Sequence, residues 1–121
     1  MLFRSNTTRL LNWLEGRLNY ERTPAAAHTP STFGLSRMRQ LLRLLGNPHR
    51  HAPVAHVAGT KGKGSTVSML ATILEDSGYH VGRYLSPHVH RVEERIGVDG
   101  IPISTAELAA ALAVEIGRAH V

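Results

Sequence analysis

The stretch VAGTKGKGST, residues 57–66, holds three glycines and two lysines in ten residues. An apolar run, VAHVAG (54–59), leads into these glycines and is predicted to be a buried strand. A helix is predicted next, over 64–77, and HVGRYL (80–85) is predicted to be a second strand. Strand, loop, helix and strand in this order form a βαβ unit. Such a unit implies an α/β fold with a parallel sheet and a right-handed crossover.

The glycine loop has the composition of a phosphate-binding loop. Between a strand and a helix, such a loop directs backbone N–H groups towards one point, and the helix N-terminus adds partial positive charge there. Lys63, preceded by Gly62, would add a full positive charge at the start of the helix. The alternative is a glycine-rich turn with surface lysines, which the strand-to-helix context disfavours.

The loop departs twice from the pattern G-x-x-x-x-G-K-[ST] of a P-loop. Val57 stands where the first glycine is expected, and Gly64 stands where a hydroxyl would bind magnesium. Ser65 and Thr66 follow one and two positions late. Either this loop binds no nucleotide, or the hydroxyl for the metal comes from another part of the chain.

Leucine spacing and turn residues predict the elements on either side. A first helix is predicted over 7–19, capped by Asn6, Thr7 or Thr8, with an apolar face of Leu10, Leu11, Leu14 and Leu18. A loop over 23–34 leads to a second helix, which ends at Gly46 and has the apolar stripe Leu35, Met38, Leu41, Leu42 and Leu45. Further on, Asp99-Gly100 between apolar residues predicts a hairpin. Ser104 and Glu107 form a capping box for a final helix.

Length and composition narrow the class of protein. The 121 residues suffice for one domain with a modest core, and 42% of them are hydrophobic. The absence of Cys excludes disulfides and Cys-based sites, which fits a cytoplasmic protein. We find no membrane-spanning run and no signal peptide. The net charge of +5 comes from scattered Arg residues without an aromatic ladder, so nucleic acid is not the expected partner.

The last six residues, IGRAHV (116–121), read like a translated sequencing adapter and interrupt a helical pattern. We expect them to be a non-native read-through tail and residues 1–115 to be the front piece of a longer protein. The alternative is a natural tail that matches by chance.

The segment HVAGTKGKGSTVSMLATILEDSGYHVGRYLSPH (56–88) resembles the nucleotide-binding segment of the folylpolyglutamate synthase and dihydrofolate synthase family, within the Mur ligase superfamily. That family's loop reads G-T-N-G-K-G-S/T, and this chain departs from it only at Lys61. The entry segment TFGLSRMRQLLRLLGNPH (32–49) and the segment SPHVHRVEERIGVDGIPIS (86–104) also resemble the family. The likeness runs from about residue 10 to 115, and three motifs in the right order make it specific.

The resemblance implies that residues 1–115 are the N-terminal part of the ATP-binding (Mur ligase central) domain. This would be a truncated α/β, P-loop-containing domain of the Mur-ligase type, with a parallel sheet flanked by helices. It implies an ATP-dependent ligase of folate biosynthesis that adds L-glutamate to folates, to dihydropteroate or to both through an acyl phosphate. ATP would be held by Gly59, Thr60, Lys61, Gly62, Lys63, Gly64 and Ser65. Lys63 would also be catalytic, and Ser65 would cap the helix. Ser86 would bind Mg²⁺, and the folate loop would offer His88, Arg91 and Arg95.

Other readings stay open at this point. The chain could belong to a different Mur-type ligase of peptidoglycan synthesis, although Gly64 after the loop lysine argues for folate. A basic nucleic-acid-binding module is a third, weaker hypothesis. The pairs His49/His51 and His88/His90 lack an evident third zinc ligand, and Glu93-Glu94 is expected to be surface charge. We expect a monomeric full-length enzyme that uses neither membrane nor nucleic acid, and no activity from this chain alone.

Overall fold

A computed structural model of the chain describes residues 2–16 and 34–119. Its helices are α1 (Leu2–Glu15), α2 (Ser36–Leu44), α3 (Lys63–Asp76) and α4 (Thr105–Ala119). Its strands are β1 (Gly82–Tyr84), β2 (Ile96–Val98) and β3 (Ile101–Pro102), and 3₁₀ helices span Pro48–Arg50 and Val92–Arg95. The chain divides into two compact units: residues 1–54 with 109–121, and residues 55–108. None of the described helices has the length and apolar character needed to span a membrane.

Helix α1 begins earlier than predicted. It starts at Leu2, so the predicted cap at Asn6 to Thr8 is wrong, because those residues lie inside the helix. The leucine periodicity identifies the apolar face of the helix but not its first turn. Polar residues that can cap a helix can also lie within one. The predicted end of this helix at residue 19, its fourth face residue Leu18 and nearly all of the loop predicted over 23–34 lie outside the described residues.

Helices α2 and α3 end in the same hydrogen-bonded pattern. After α2, the N–H of Gly46 donates to the carbonyl of Arg43, and the N–H of Asn47 donates to that of Leu42. After α3, Gly78 and Tyr79 repeat this pattern with the carbonyls of Glu75 and Leu74. These paired bonds define the Schellman motif, in which glycine takes a left-handed conformation just past the helix. The predicted ends at Gly46 and Gly78 are confirmed.

The α/β class is confirmed, but the sheet differs from the predicted parallel one. Its three strands have the order β1-β2-β3, and both neighbouring pairs are antiparallel. Residues 53–59 form no strand, since no backbone hydrogen bond joins them to another described segment. An extended segment becomes a strand only when a neighbour supplies ladder hydrogen bonds, and the apolar pattern of 54–59 could not reveal that neighbour.

The hairpin between β2 and β3 is confirmed. Asp99 and Gly100 have φ of 49° and 76°, which are the positive values of a type I′ turn. The carboxylate of Asp99 accepts a 2.8 Å hydrogen bond from the N–H of Val81 and lies 2.8 Å from Nδ1 of His80. The turn is therefore tied to the residues that lead into β1.

One face of the sheet is apolar and exposed. Cross-strand pairing places Tyr84 opposite Ile96 and Val98 opposite Ile101, and paired residues share a face. Tyr84, Val98 and Ile101 are 64%, 56% and 72% exposed. On the opposite face, Gly97 is buried and an added Cβ would lie 3.2 Å from Nε of Arg83. The sheet therefore has one apolar face open to solvent, which we call the open face.

Helix α4 begins at the predicted capping box. The carboxylate of Glu107 accepts hydrogen bonds from the N–H and the hydroxyl of Ser104, and the Ser104 hydroxyl accepts one from the N–H of Glu107. These bonds hold the pKa of Glu107 below its ordinary value. The helix runs to Ala119, past the expected domain limit at 115, which stays a prediction.

Candidate functional site

The glycine loop leads directly into α3. Gly62 precedes the first helical residue, Lys63, and its φ of +74° is a left-handed value that suits glycine. No side chain caps this helix start, so the expected cap by Ser65 is wrong. Ser65 lies within the first turn, and the carbonyl of Gly62 instead accepts a 2.9 Å hydrogen bond from the hydroxyl of Thr66. The start of the helix therefore stays open to another partner.

The backbone N–H groups of the loop are available to such a partner. In the described part of the chain, no hydrogen bond occupies the N–H groups from Thr60 to Ser65, and the N–H of Thr66 is the first to bond within the helix. All of these residues are exposed. Clustered free N–H groups at a helix N-terminus attract anions, because the helix dipole adds to them. The loop can therefore bind a phosphate through its backbone.

Lys63 adds the full positive charge that the sequence predicted. Its Nζ lies 2.6 Å from the carbonyl oxygen of Gly59. The side chain therefore folds back over the loop and does not extend away from it. Lys61, the departure from the family pattern, is exposed.

Ser86 follows the end of β1 by two residues and is exposed. Helix α3 contacts β1 and is joined to it by residues 77–81, so the two elements run in opposite directions. The glycine loop precedes the N-terminus of α3, and Ser86 follows β1, the strand that returns along this helix.

Glu94 binds the backbone of the segment that follows Ser86. Its carboxylate accepts hydrogen bonds of 3.0, 3.1 and 2.9 Å from the N–H groups of Val89, His90 and Arg91. These bonds, with that from Val89 the largest cause, hold the pKa of Glu94 below its ordinary value. The Glu94 side chain therefore stabilises the backbone conformation of the loop that precedes it.

Glu93 forms a second polar cluster with Arg91 and Thr105. Nη2 of Arg91 lies 2.9 Å from Oε1 of Glu93 and 2.6 Å from the hydroxyl of Thr105, which donates to the same Oε1 over 2.7 Å. Burial alone raises the pKa of Glu93, but hydrogen bonds from Thr105, its own backbone and Arg91 outweigh it and lower the pKa. Glu93 is 7% exposed, so the expectation that Glu93-Glu94 is surface charge is wrong.

His88 and Arg95 pair within the same segment. Nε of Arg95 donates a 2.8 Å hydrogen bond to Nδ1 of His88. Because a guanidinium can only donate, Nδ1 is the acceptor and the neutral ring carries its proton on Nε2. His88 therefore has an N–H donor for a further partner.

The structure thus brings together the three residues expected in the folate loop, His88, Arg91 and Arg95, within one 3₁₀ turn and its approach. Sequence reasoning missed Thr105 and the role of Glu94. The available signal was the position of Thr105 beside the capping box, at the first turn of a helix, where a hydroxyl is common. The described residues contain no group of three His, Asp or Glu side chains that could hold a metal.

Comparison with known proteins was made by sequence and by structure. No protein-family model matches the chain. The dihydrofolate synthase/folylpolyglutamate synthase of Bacillus subtilis is 44% identical over 96 residues, which cover 79% of this chain and 20% of that protein. The chain thus spans one fifth of the length of this curated relative.

Solved structures give the same result. An FPGS complex with AMPPCP and folate matches with a TM-score of 0.78 and 34% identity, over 95% of this chain and 26% of that one. The folylpolyglutamate synthase of Mycobacterium tuberculosis in complex with ADP matches with a TM-score of 0.76 and 30% identity, over 97% of this chain and 24% of that one.

Proposed function

Because the chain belongs to the folylpolyglutamate synthase/dihydrofolate synthase family, we propose that it is the phosphate-binding part of an ATP-dependent ligase. The reaction joins L-glutamate to a folate, to dihydropteroate or to both. ATP phosphorylates a carboxylate of the acceptor, and the amine of glutamate then attacks the acyl phosphate. The products are an amide, ADP and phosphate.

The observation that carries this proposal is the open row of N–H groups from Thr60 to Ser65, with Lys63 beside it. Phosphoryl transfer needs positioning and neutralisation of charge more than covalent chemistry from the protein. The N–H groups hold the phosphates in place. The ammonium of Lys63 moves from the Gly59 carbonyl to the β- and γ-phosphates and stabilises the charge that develops there.

Ser86 is the magnesium ligand in this proposal. A hydroxyl oxygen suits Mg²⁺, which typically takes one or two protein oxygens together with substrate phosphates and water. When bound, the ion would neutralise phosphate charge. The hydroxyl missing after Lys63 would then be supplied by Ser86, from the strand end that leads out of β1.

The segment from His88 to Arg95 is the proposed contact for the folate. His88 offers Nε2–H as a donor, and Arg91 offers a positive charge. Arg95 holds the His88 ring. The carboxylate of Glu94, which accepts hydrogen bonds from three N–H groups of this loop, keeps its backbone in one conformation before substrate arrives.

The experiment is an assay of the protein expressed from the complete gene. We expect ATP-dependent joining of glutamate to tetrahydrofolate, to dihydropteroate or to both, and loss of this activity in Lys63→Ala. We expect the 121-residue chain alone to bind ATP weakly and to catalyse nothing. Glutamate transfer that survives in Lys63→Ala would contradict the proposed site. The monomeric state and the cytoplasmic location stay predictions.

A further inference from the structure

Arg91, Glu93 and Thr105 close a ring of hydrogen bonds at the start of α4. Nη2 of Arg91 donates to both Oε1 of Glu93 and the hydroxyl of Thr105, and that hydroxyl donates to the same Oε1. The Glu93 side chain is only 9% exposed, and a carboxylate buried to this extent is costly unless donors of this kind satisfy it. The ring therefore neutralises Glu93 and at the same time fixes the position of Arg91.

The ring uses only one nitrogen of the Arg91 guanidinium. Nε and Nη1 carry the three remaining N–H groups, and these make no hydrogen bond within the described residues. The Arg91 side chain is 65% exposed. A guanidinium that is already oriented loses less entropy on binding, and its planar donors match a carboxylate. Arg91 is therefore a fixed cation with free donors.

We propose that Arg91 binds a carboxylate of the acceptor substrate that does not react, and that Glu93 and Thr105 are positioning residues for it. This inference rests on the proposed function. The phosphates already have the glycine loop and Lys63 as partners, so a carboxylate remains for Arg91. A folate ends in a glutamyl group with two carboxylates, of which one reacts and one is left free. Dihydropteroate has a single carboxylate, which reacts. Arg91 therefore selects acceptors that already carry glutamate.

The test compares two probes that differ only by the glutamyl group, pteroylglutamate and pteroate. Their Kd values are measured by calorimetry with the full-length enzyme in the presence of AMPPCP, so that no turnover is needed. We expect Arg91→Ala to weaken pteroylglutamate binding about 10- to 100-fold more than pteroate binding, because hydrogen bonds between charged groups are lost. Thr105→Val should shift the same ratio in the same direction, whereas Thr105→Ser keeps the hydroxyl and should restore it.

The inference is overturned if the ratio of the two Kd values stays constant in Arg91→Ala and Thr105→Val, as it would if both probes were weakened equally. It is also overturned if the unsubstituted enzyme binds neither probe. Arg50→Ala is the matched control, since it removes the same charge from an exposed position in the other compact unit. Failure of the proposed function has a different signature: both probes bind, but the enzyme joins no glutamate to any acceptor in the presence of ATP.

Discussion

The ammonium of Lys63 donates a hydrogen bond to the carbonyl of Gly59, four residues earlier in the chain, at 2.6 Å. This bond closes the loop on itself, because the lysine at the start of α3 folds back onto the first glycine of the loop. In the proposed function, a phosphate that enters the loop would replace this neutral carbonyl as the partner of Lys63.

Lys63→Ala should weaken ATP binding about tenfold or more, because a charge-assisted hydrogen bond to phosphate is lost. Lys61→Ala is the matched control: it removes the same charge from the same loop at an exposed position. We expect this variant to lose less affinity and to lose it mainly at low salt. Nucleotide titrations at two salt concentrations check both. Equal losses of affinity in the two variants would mean that Lys63 contributes only to the overall positive electrostatic potential of the loop and makes no specific bond to phosphate.

Gly64→Ala should separate ligand binding from stability. A Cβ at residue 64 would meet no protein atom within 4 Å, and the position lies in the first turn of α3. Alanine is favoured over glycine in helices by up to about 1 kcal/mol, so thermal unfolding should be unchanged or slightly raised. The added methyl group would lie beside the free N–H groups, so phosphate affinity should fall. A drop in unfolding temperature would instead indicate a hidden packing role for Gly64.

Glu94→Ala should loosen the segment that it organises. The N–H groups of Val89, His90 and Arg91 lose their acceptor, so their hydrogen exchange should become faster, which NMR can follow residue by residue. Glu94→Gln keeps one carbonyl acceptor and should give an intermediate effect. Unchanged exchange at all three amides would show that the loop keeps its backbone conformation without the Glu94 carboxylate.

Acid should have a similar effect on this loop. The folded-state pKa of Glu94 is lowered, so its contribution to stability is present above the ordinary glutamate pKa. That contribution is lost as the pH falls through the lowered value. Amide exchange corrected for pH should therefore accelerate at Val89, His90 and Arg91 below the ordinary range of a glutamate.

The contact between His80 and Asp99 should make stability fall as the pH rises, in contrast to the loss of the Glu94 contribution in acid. The hydrogen bond that Nδ1 of His80 donates to the carboxylate of Asp99, and the negative charge of that carboxylate, raise the pKa of His80. The same hydrogen bond is the largest cause of the lowered pKa of Asp99. The stabilising effect of His80 is complete below the ordinary histidine pKa and is lost as the pH rises through the raised value. That of Asp99 is lost as the pH falls through its lowered value.

An NMR titration of His80 checks this pair. We expect Asp99→Asn to return the pKa of His80 to its ordinary value. The substitution keeps the turn, because asparagine before glycine also favours type I′. A His80 pKa that is the same in both proteins would show that the 2.8 Å contact does not persist in solution.

Features that depend on a few neighbouring residues could be predicted from the sequence. Gly46 and Gly78 end their helices, Asp99-Gly100 forms the hairpin and Ser104 with Glu107 caps α4, as expected. Each of these depends on hydrogen bonds within about six residues of chain, so local residue types are sufficient.

Features that depend on distant partners could not be predicted. The strand predicted over 54–59 needs a neighbour that the local apolar pattern does not identify. Glu93 is buried because Thr105, twelve residues later, supplies a hydroxyl to its carboxylate. In the candidate site, the loop with Lys63 could be predicted from glycine spacing, whereas the ring around Arg91 could not.

The open face of the sheet has a practical consequence for handling the isolated chain. Tyr84, Val98 and Ile101 expose adjoining apolar area, so two copies of the chain should associate through this face as the protein concentration rises. Ile101 lies on a short edge strand, where lysine is a common natural deterrent to association. Ile101→Lys would keep the neighbouring type I′ turn. The variant chain should stay monomeric at millimolar concentration, which would permit residue-by-residue NMR of the glycine loop.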